Sequence, residues 1–126
     1  MVNLIRPEGY DKLSPEEKAR ICNGCGAAGQ TDYIPDTIYG LRITEACNIH
    51  DYMYYLGDTW QDKEDADRIF LINLLRIIDT IPHKGIWSRI VRRLRKLRAL
   101  SYYNAVVHFG GLAFWANKTY INYKGE

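Results

Sequence analysis

Two apolar helical runs, separated by only a few residues, constrain this chain more than any other feature. From Leu41 to Leu56, the residues Ile43, Ala46, Cys47, Ile49, Met53 and Leu56 recur at helical spacing. Gly57-Asp58 ends that run. Asp62 and Asp65 open a second one, whose Ala66, Ile69, Phe70, Asn73, Leu74 and Ile77 form an apolar face to about Ile81, where Pro82 stops it. A link that short folds the two helices back on each other as an antiparallel hairpin. No alternating Val/Ile-rich run argues for a sheet, so the expected class is all-α. A length of 126 residues allows one compact domain over 1–126. Hydrophobic residues at 47% and charged residues at 25% exclude a disordered tail or a fibrous repeat.

The flanks of the hairpin divide the domain into three parts. In 1–40, Ser14-Pro15-Glu16-Glu17 is a helix start, with serine as cap, proline at the first helical position and Glu17 completing a capping box. Asn23-Gly24-Cys25-Gly26 ends that helix in a glycine-rich loop running to Gly29, and Asp32 to Gly40 reads as an extended connection. The hairpin occupies 41–81. In 82–126, Lys84 to Arg98 is a basic amphipathic helix. Ile86, Trp87, Ile90, Val91, Leu94 and Leu97 make its apolar stripe and are expected to form core, while Arg89, Arg92, Arg93, Arg95 and Lys96 occupy the other side. After Ser101, Tyr102 to Trp115 reads as an apolar helix broken at Gly110-Gly111, forming core or lining a channel for an acyl chain.

Charge is divided just as unevenly. Met1 to Asp79 holds 14 acidic and 8 basic residues, whereas Thr80 to Glu126 holds 9 basic residues and one acid. This split points to an anionic partner for the basic helix, either a phospholipid or membrane surface or, as the lesser expectation, nucleic acid. No apolar run approaches the roughly 18 residues of a spanning helix. Residues 1–13 carry Arg6, Glu8, Asp11 and Lys12 where a secretion signal needs an apolar stretch, so the default expectation is a cytoplasmic protein.

The residues able to do chemistry cluster on the first helix of the hairpin. His50 and Asp51 are adjacent and point about 100° apart, so they serve neighbouring tasks rather than one bond. Tyr54 lies one turn beyond His50 on the same face. His50 stands seven residues before Gly57 and Asp67 five after Asp62, depths that nearly match across an antiparallel pair. Asp67 can therefore fix the imidazole's tautomer and leave its other nitrogen free as a base for water. Asp51, turned off that face, is placed to meet backbone carbonyls of the Gly24–Gly29 loop, an all-oxygen set that suits calcium. A rival set, Cys22, Cys25, Cys47 and His50, has the composition of a zinc site and would consume the base.

Cys47-x-x-His50-Asp51-x-x-Tyr54 resembles the active-site helix of the phospholipase A2 superfamily, and Cys22-Asn23-Gly24-Cys25-Gly26-Ala27-Ala28-Gly29 resembles its calcium loop. Asp67 falls where the family's helix-three aspartate would, and the single cysteine at Cys47 is similar to small bacterial-type members. The resemblance covers roughly Ile21 to Arg76. It implies His50 as the water-activating base, Asp67 as its orienter and Tyr54 as hydrogen-bond support. It further implies Asp51 as calcium ligand with carbonyls from Gly24, Gly26 and Ala28, and, in an oxidising compartment, a disulfide between Cys25 and Cys47. The expected activity is calcium-dependent hydrolysis of a phospholipid carboxylic ester. The alternative is a non-enzymatic interaction protein that keeps the hairpin as scaffold and binds anionic lipid or nucleic acid through its basic helix.

Overall fold

Local sequence signals set most of the helix boundaries. The computed structural model describes residues 3–22, 24–25, 34–82 and 84–115. The short helix α1, Pro15–Ile21, begins at Ser14, whose hydroxyl accepts from the Glu17 amide while the Glu17 carboxylate accepts from the Ser14 amide. Ahead of it, Glu8–Lys12 forms a 3₁₀ turn. The hairpin helices are α2, Thr44–Leu56, and α3, Trp60–Asp79. Thr59, not Asp62, caps α3, and Asp62 is the third helical residue that returns the bond to the Thr59 amide. The described residues are mostly helical, as the all-α class requires.

The connection expected to be merely extended contains a small antiparallel hairpin. Thr37–Ile38 (β1) pairs with Leu41–Arg42 (β2), so α2 starts three residues later than the apolar pattern implies. The turn between them has Tyr39 at φ 45° and Gly40 at φ 81°. Two left-handed residues match the twist of a two-residue hairpin, and glycine takes that conformation without strain. Strands of two residues carry too little alternation to be recognised from sequence.

The facing pairs give the direction of α2 against α3. The Lys63 ammonium lies 5.7 Å from the Tyr54 ring centre, whereas His50 meets Asp67 and Phe70. Earlier residues of one helix meet later residues of the other, which is an antiparallel arrangement. Ile43, Ala46, Ile49, Phe70, Leu74 and Ile78 are buried in the main core. Asn73 is fully buried among them, yet its side chain accepts from the Ile5 amide at 2.8 Å and donates to the Ile5 carbonyl at 2.9 Å. Both amide groups are satisfied, so a polar residue in the core pins the N-terminal segment to α3.

The basic region departs from expectation in two ways. Ser101 interrupts nothing: a single helix, α4, runs from Gly85 to Phe109, and the break falls at Gly110, before α5, Gly111–Trp115. The stripe of Ile86, Trp87, Ile90, Leu94 and Leu97 is exposed rather than core, Trp87 at 78%. Three of the cations turn toward the body instead. Arg92 and Lys96 pair with Asp79 at 2.6 and 3.4 Å, and Arg95 donates to the Tyr39 carbonyl at 2.8 Å. The buried side of α4 is carried by Ala99, Tyr102 and Val106. No described helix is long and apolar enough to cross a membrane.

Candidate functional site

The helix pair brings together the three side chains that the sequence singles out for base chemistry. His50 Nε2 lies 2.7 Å from Asp67 Oδ1, and the Tyr54 hydroxyl donates to that same oxygen at 2.6 Å. His50 and Tyr54 sit one turn apart on α2, their ring centres 4.1 Å apart, and Phe70 covers the imidazole from α3 at 4.8 Å. All three polar side chains are buried.

A fourth member of this cluster was not foreseen. Lys63, only 3% exposed, donates to Asp67 Oδ2 at 2.7 Å and to the Val106 carbonyl at 3.0 Å. The two oxygens of Asp67 are thus divided, Oδ1 for His50 and Tyr54 and Oδ2 for Lys63. A buried carboxylate is costly unless paired and hydrogen-bonded, and Lys63 supplies the compensating charge. The one sequence signal for it is the spacing of four between Lys63 and Asp67, which puts both on one helix face.

These contacts set the protonation states. Burial pushes the His50 imidazole below its ordinary range; Asp67 works in the opposite direction and Lys63 adds to the lowering. Burial alone would raise the Asp67 carboxyl, but the hydrogen bonds from His50, Lys63 and Tyr54 hold it below the usual carboxylate range. Burial and the neighbouring Asp67 raise the Tyr54 phenol, so it stays a donor. The resting cluster is a neutral imidazole, a carboxylate and an ammonium. With Nε2–H donating to Asp67, Nδ1 is the nitrogen left with a lone pair.

His50, Asp51, Tyr54, Gly24 and Cys25 line one cleft of about 510 Å³, open mouth included. Ala105, Val106 and Phe109 of α4, with Gly110 and Ala113, supply its apolar wall. In the segment expected as core or channel lining, Tyr102, Val106 and Phe114 are buried, while Phe109, at the cleft, and Leu112 are exposed. Gly110 matters for its closeness: a β-carbon there would collide with the Tyr54 hydroxyl and the Val106 carbonyl.

Cys25 and Cys47 are joined by a disulfide that ties the glycine turn to α2, with α-carbons 4.9 Å apart. This overturns the zinc set of Cys22, Cys25, Cys47 and His50, because two of its sulfurs are bonded to each other and the His50 Nε2 is held by Asp67. Cys22 is a buried free thiol that donates to the Asn48 carbonyl, and burial pushes it up to about 11. For the calcium set, Asp51 and Gly24 line the same cleft as the base, while Gly26 and Ala28 lie outside the described residues. The Gly24 amide donates to Asn48 Oδ1 at 2.9 Å and the Cys25 amide to Asp36 Oδ1 at 3.0 Å, which fixes the turn against α2 and the segment before β1. A carboxylate together with backbone carbonyls is the kind of oxygen set a hard cation takes, and of the expected set Asp51 and Gly24 share this one cleft. Among the described residues no cluster of three or more His, Cys, Asp or Glu side chains is placed to hold a metal.

Fold and site together define a helical protein with a buried His–Asp–Lys cluster in the wall of an apolar cleft. Comparison with protein-family models, curated proteins and solved structures finds no match to the chain.

Proposed function

We propose that this protein hydrolyses a carboxylic ester of a phospholipid with His50 as general base, in the manner of the phospholipase A2 superfamily that its active-site helix resembles. The observation that carries the reading is the 2.7 Å contact of His50 Nε2 with Asp67 at the wall of an apolar cleft. Asp67 holds the ring in the tautomer whose Nδ1 is a base, and Tyr54 and Lys63 hold Asp67. Water beside Nδ1 gives its proton to the ring as its oxygen attacks the ester carbonyl. The same nitrogen then returns the proton to the departing alcohol oxygen, so His50 ends neutral as it began. The apolar wall of Ala105, Val106 and Phe109 accommodates an acyl chain and excludes bulk water.

Asp51 and the Gly24 backbone are the described residues that would hold calcium. When bound, calcium supplies the positive charge that stabilises an ester oxyanion. This chain's own contribution to that step is to keep a carboxylate and a backbone turn against the same cleft as the base, through the Cys25–Cys47 tether.

The test is ester release from mixed phospholipid vesicles in millimolar calcium. Wild type should release fatty acid. His50→Ala should release none while keeping its helical signal, and Asp51→Asn should lose the response to calcium. A wild-type protein inert in that assay, with and without calcium, would overturn the proposal.

A further inference from the structure

The outer face of α4 is apolar and faces solvent. Trp87, Ile90, Leu94 and Leu97 follow one another at steps of three, four and three, so they lie in one line along the helix, with Ile86 beside them. A contiguous exposed apolar line of this kind marks a contact surface.

Charge says what covers it. No acidic residue occurs in α4. Arg89 and Arg93 are exposed along one border of the line, and Arg98 is exposed on the other. A second copy laid against this face would set arginines opposite arginines. Nucleic acid would call for cations foremost, whereas here the apolar side chains stand foremost and the cations flank them. An anionic lipid interface suits both parts. Apolar side chains enter the boundary between headgroups and acyl chains, and arginine stems lie along that surface with their guanidinium groups at the phosphates.

We infer that the outer face of α4 is a lipid-docking face, which seats on an anionic phospholipid surface through Trp87, Ile90, Leu94 and Leu97, with Arg89, Arg93 and Arg98 at headgroup level. The choice of lipid over an acidic protein surface rests on the ester-hydrolase reading. The arrangement inverts the sequence expectation, in which the arginines meet the lipid and the stripe is core.

Flotation of the full chain with vesicles of ether-linked phospholipids tests this apart from catalysis, because ether bonds offer no ester to cleave. One set is phosphatidylcholine alone and the other an equimolar mixture with phosphatidylglycerol. Wild type and His50→Ala should both float with the anionic set, and the Trp87 fluorescence should shift to the blue, a shift missing in Trp87→Phe. Leu94→Gln with Leu97→Gln should lower partitioning about tenfold or more without moving the unfolding midpoint, since both side chains are exposed. Arg89→Gln with Arg93→Gln should weaken binding to the anionic set and flatten its salt dependence. Wild type that stays unbound with both sets overturns the inference, as does partitioning untouched by the leucine changes. A dimer in light scattering that the leucine changes split into monomers overturns it in favour of a second copy. Flotation without ester release from any substrate keeps the docking face and removes the hydrolase reading. Turnover of a short-chain monomeric ester without flotation does the reverse.

Discussion

The two sides of the molecule handle charge and apolar surface in opposite ways. Between α2 and α3, an imidazole, a carboxylate and an ammonium are taken out of water and satisfied to the last oxygen. On the outside of α4, tryptophan, isoleucine and leucine are left in water while nearby cations turn inward to Asp79 and the Tyr39 carbonyl. Each arrangement costs stability relative to a plain core under a plain polar surface. A fold that keeps both is organised around what those positions contact. The difference also separates the expected consequences of mutation: the inner cluster should be sensitive in stability and the outer line in binding.

The largest effect should come from breaking the inner pair. Lys63→Met leaves the Asp67 charge buried without its cation and should cost about 3–5 kcal/mol in chemical denaturation. An unchanged midpoint would mean that the pair contributes nothing to the fold. Replacing both Cys25 and Cys47 by serine frees a loop of sequence separation 22 and should cost about 2–4 kcal/mol. Wild type treated with reductant should match that variant.

Acid should act on the same cluster. The unfolded imidazole takes up a proton near pH 6.5, whereas the buried ring binds one only at lower pH. The unfolded state therefore holds more protons as pH falls below about 6.5, and stability declines there. Asp67, held below the ordinary carboxylate range, adds a second decline once the unfolded carboxyl protonates near pH 4. Thermal unfolding between pH 8 and pH 4 should show both, and a midpoint that is flat across that range would contradict the buried neutral ring. Tyr54→Phe removes one of the hydrogen bonds to Asp67 and should cost about 1 kcal/mol. At the small end, Leu94→Gln with Leu97→Gln should change stability by no more than about 0.5 kcal/mol. A loss comparable to that of Lys63→Met would show the stripe to be core after all.

The reach of sequence reasoning follows the same division. His50, Tyr54 and Asp67 were legible because helical spacing and a short link determine depth, and depth determines which residues face each other. Lys63 was missed because a lysine between Asp62 and Glu64 reads as surface. Only burial by the end of α4 makes it an inner residue, and α4 is remote in sequence. Periodicity correctly grouped Trp87, Ile90, Leu94 and Leu97 on one face. It does not say which face turns inward, since that depends on contacts such as Asp79 with Arg92 and the Thr37 carbonyl with Tyr102. The start of α3 falls a few residues before Asp62 for a simpler reason: Thr59 and Asp62 are two halves of one capping box, and the acid is the more conspicuous half.

The continuity of α4 has a mechanical consequence. At 1.5 Å per residue, the 19 steps from Trp87 to Val106 make a stiff rod of roughly 28 Å. Its far end is gripped by the ammonium that also grips Asp67. One unbroken helix therefore carries both the exposed apolar line and the carbonyl that holds Lys63.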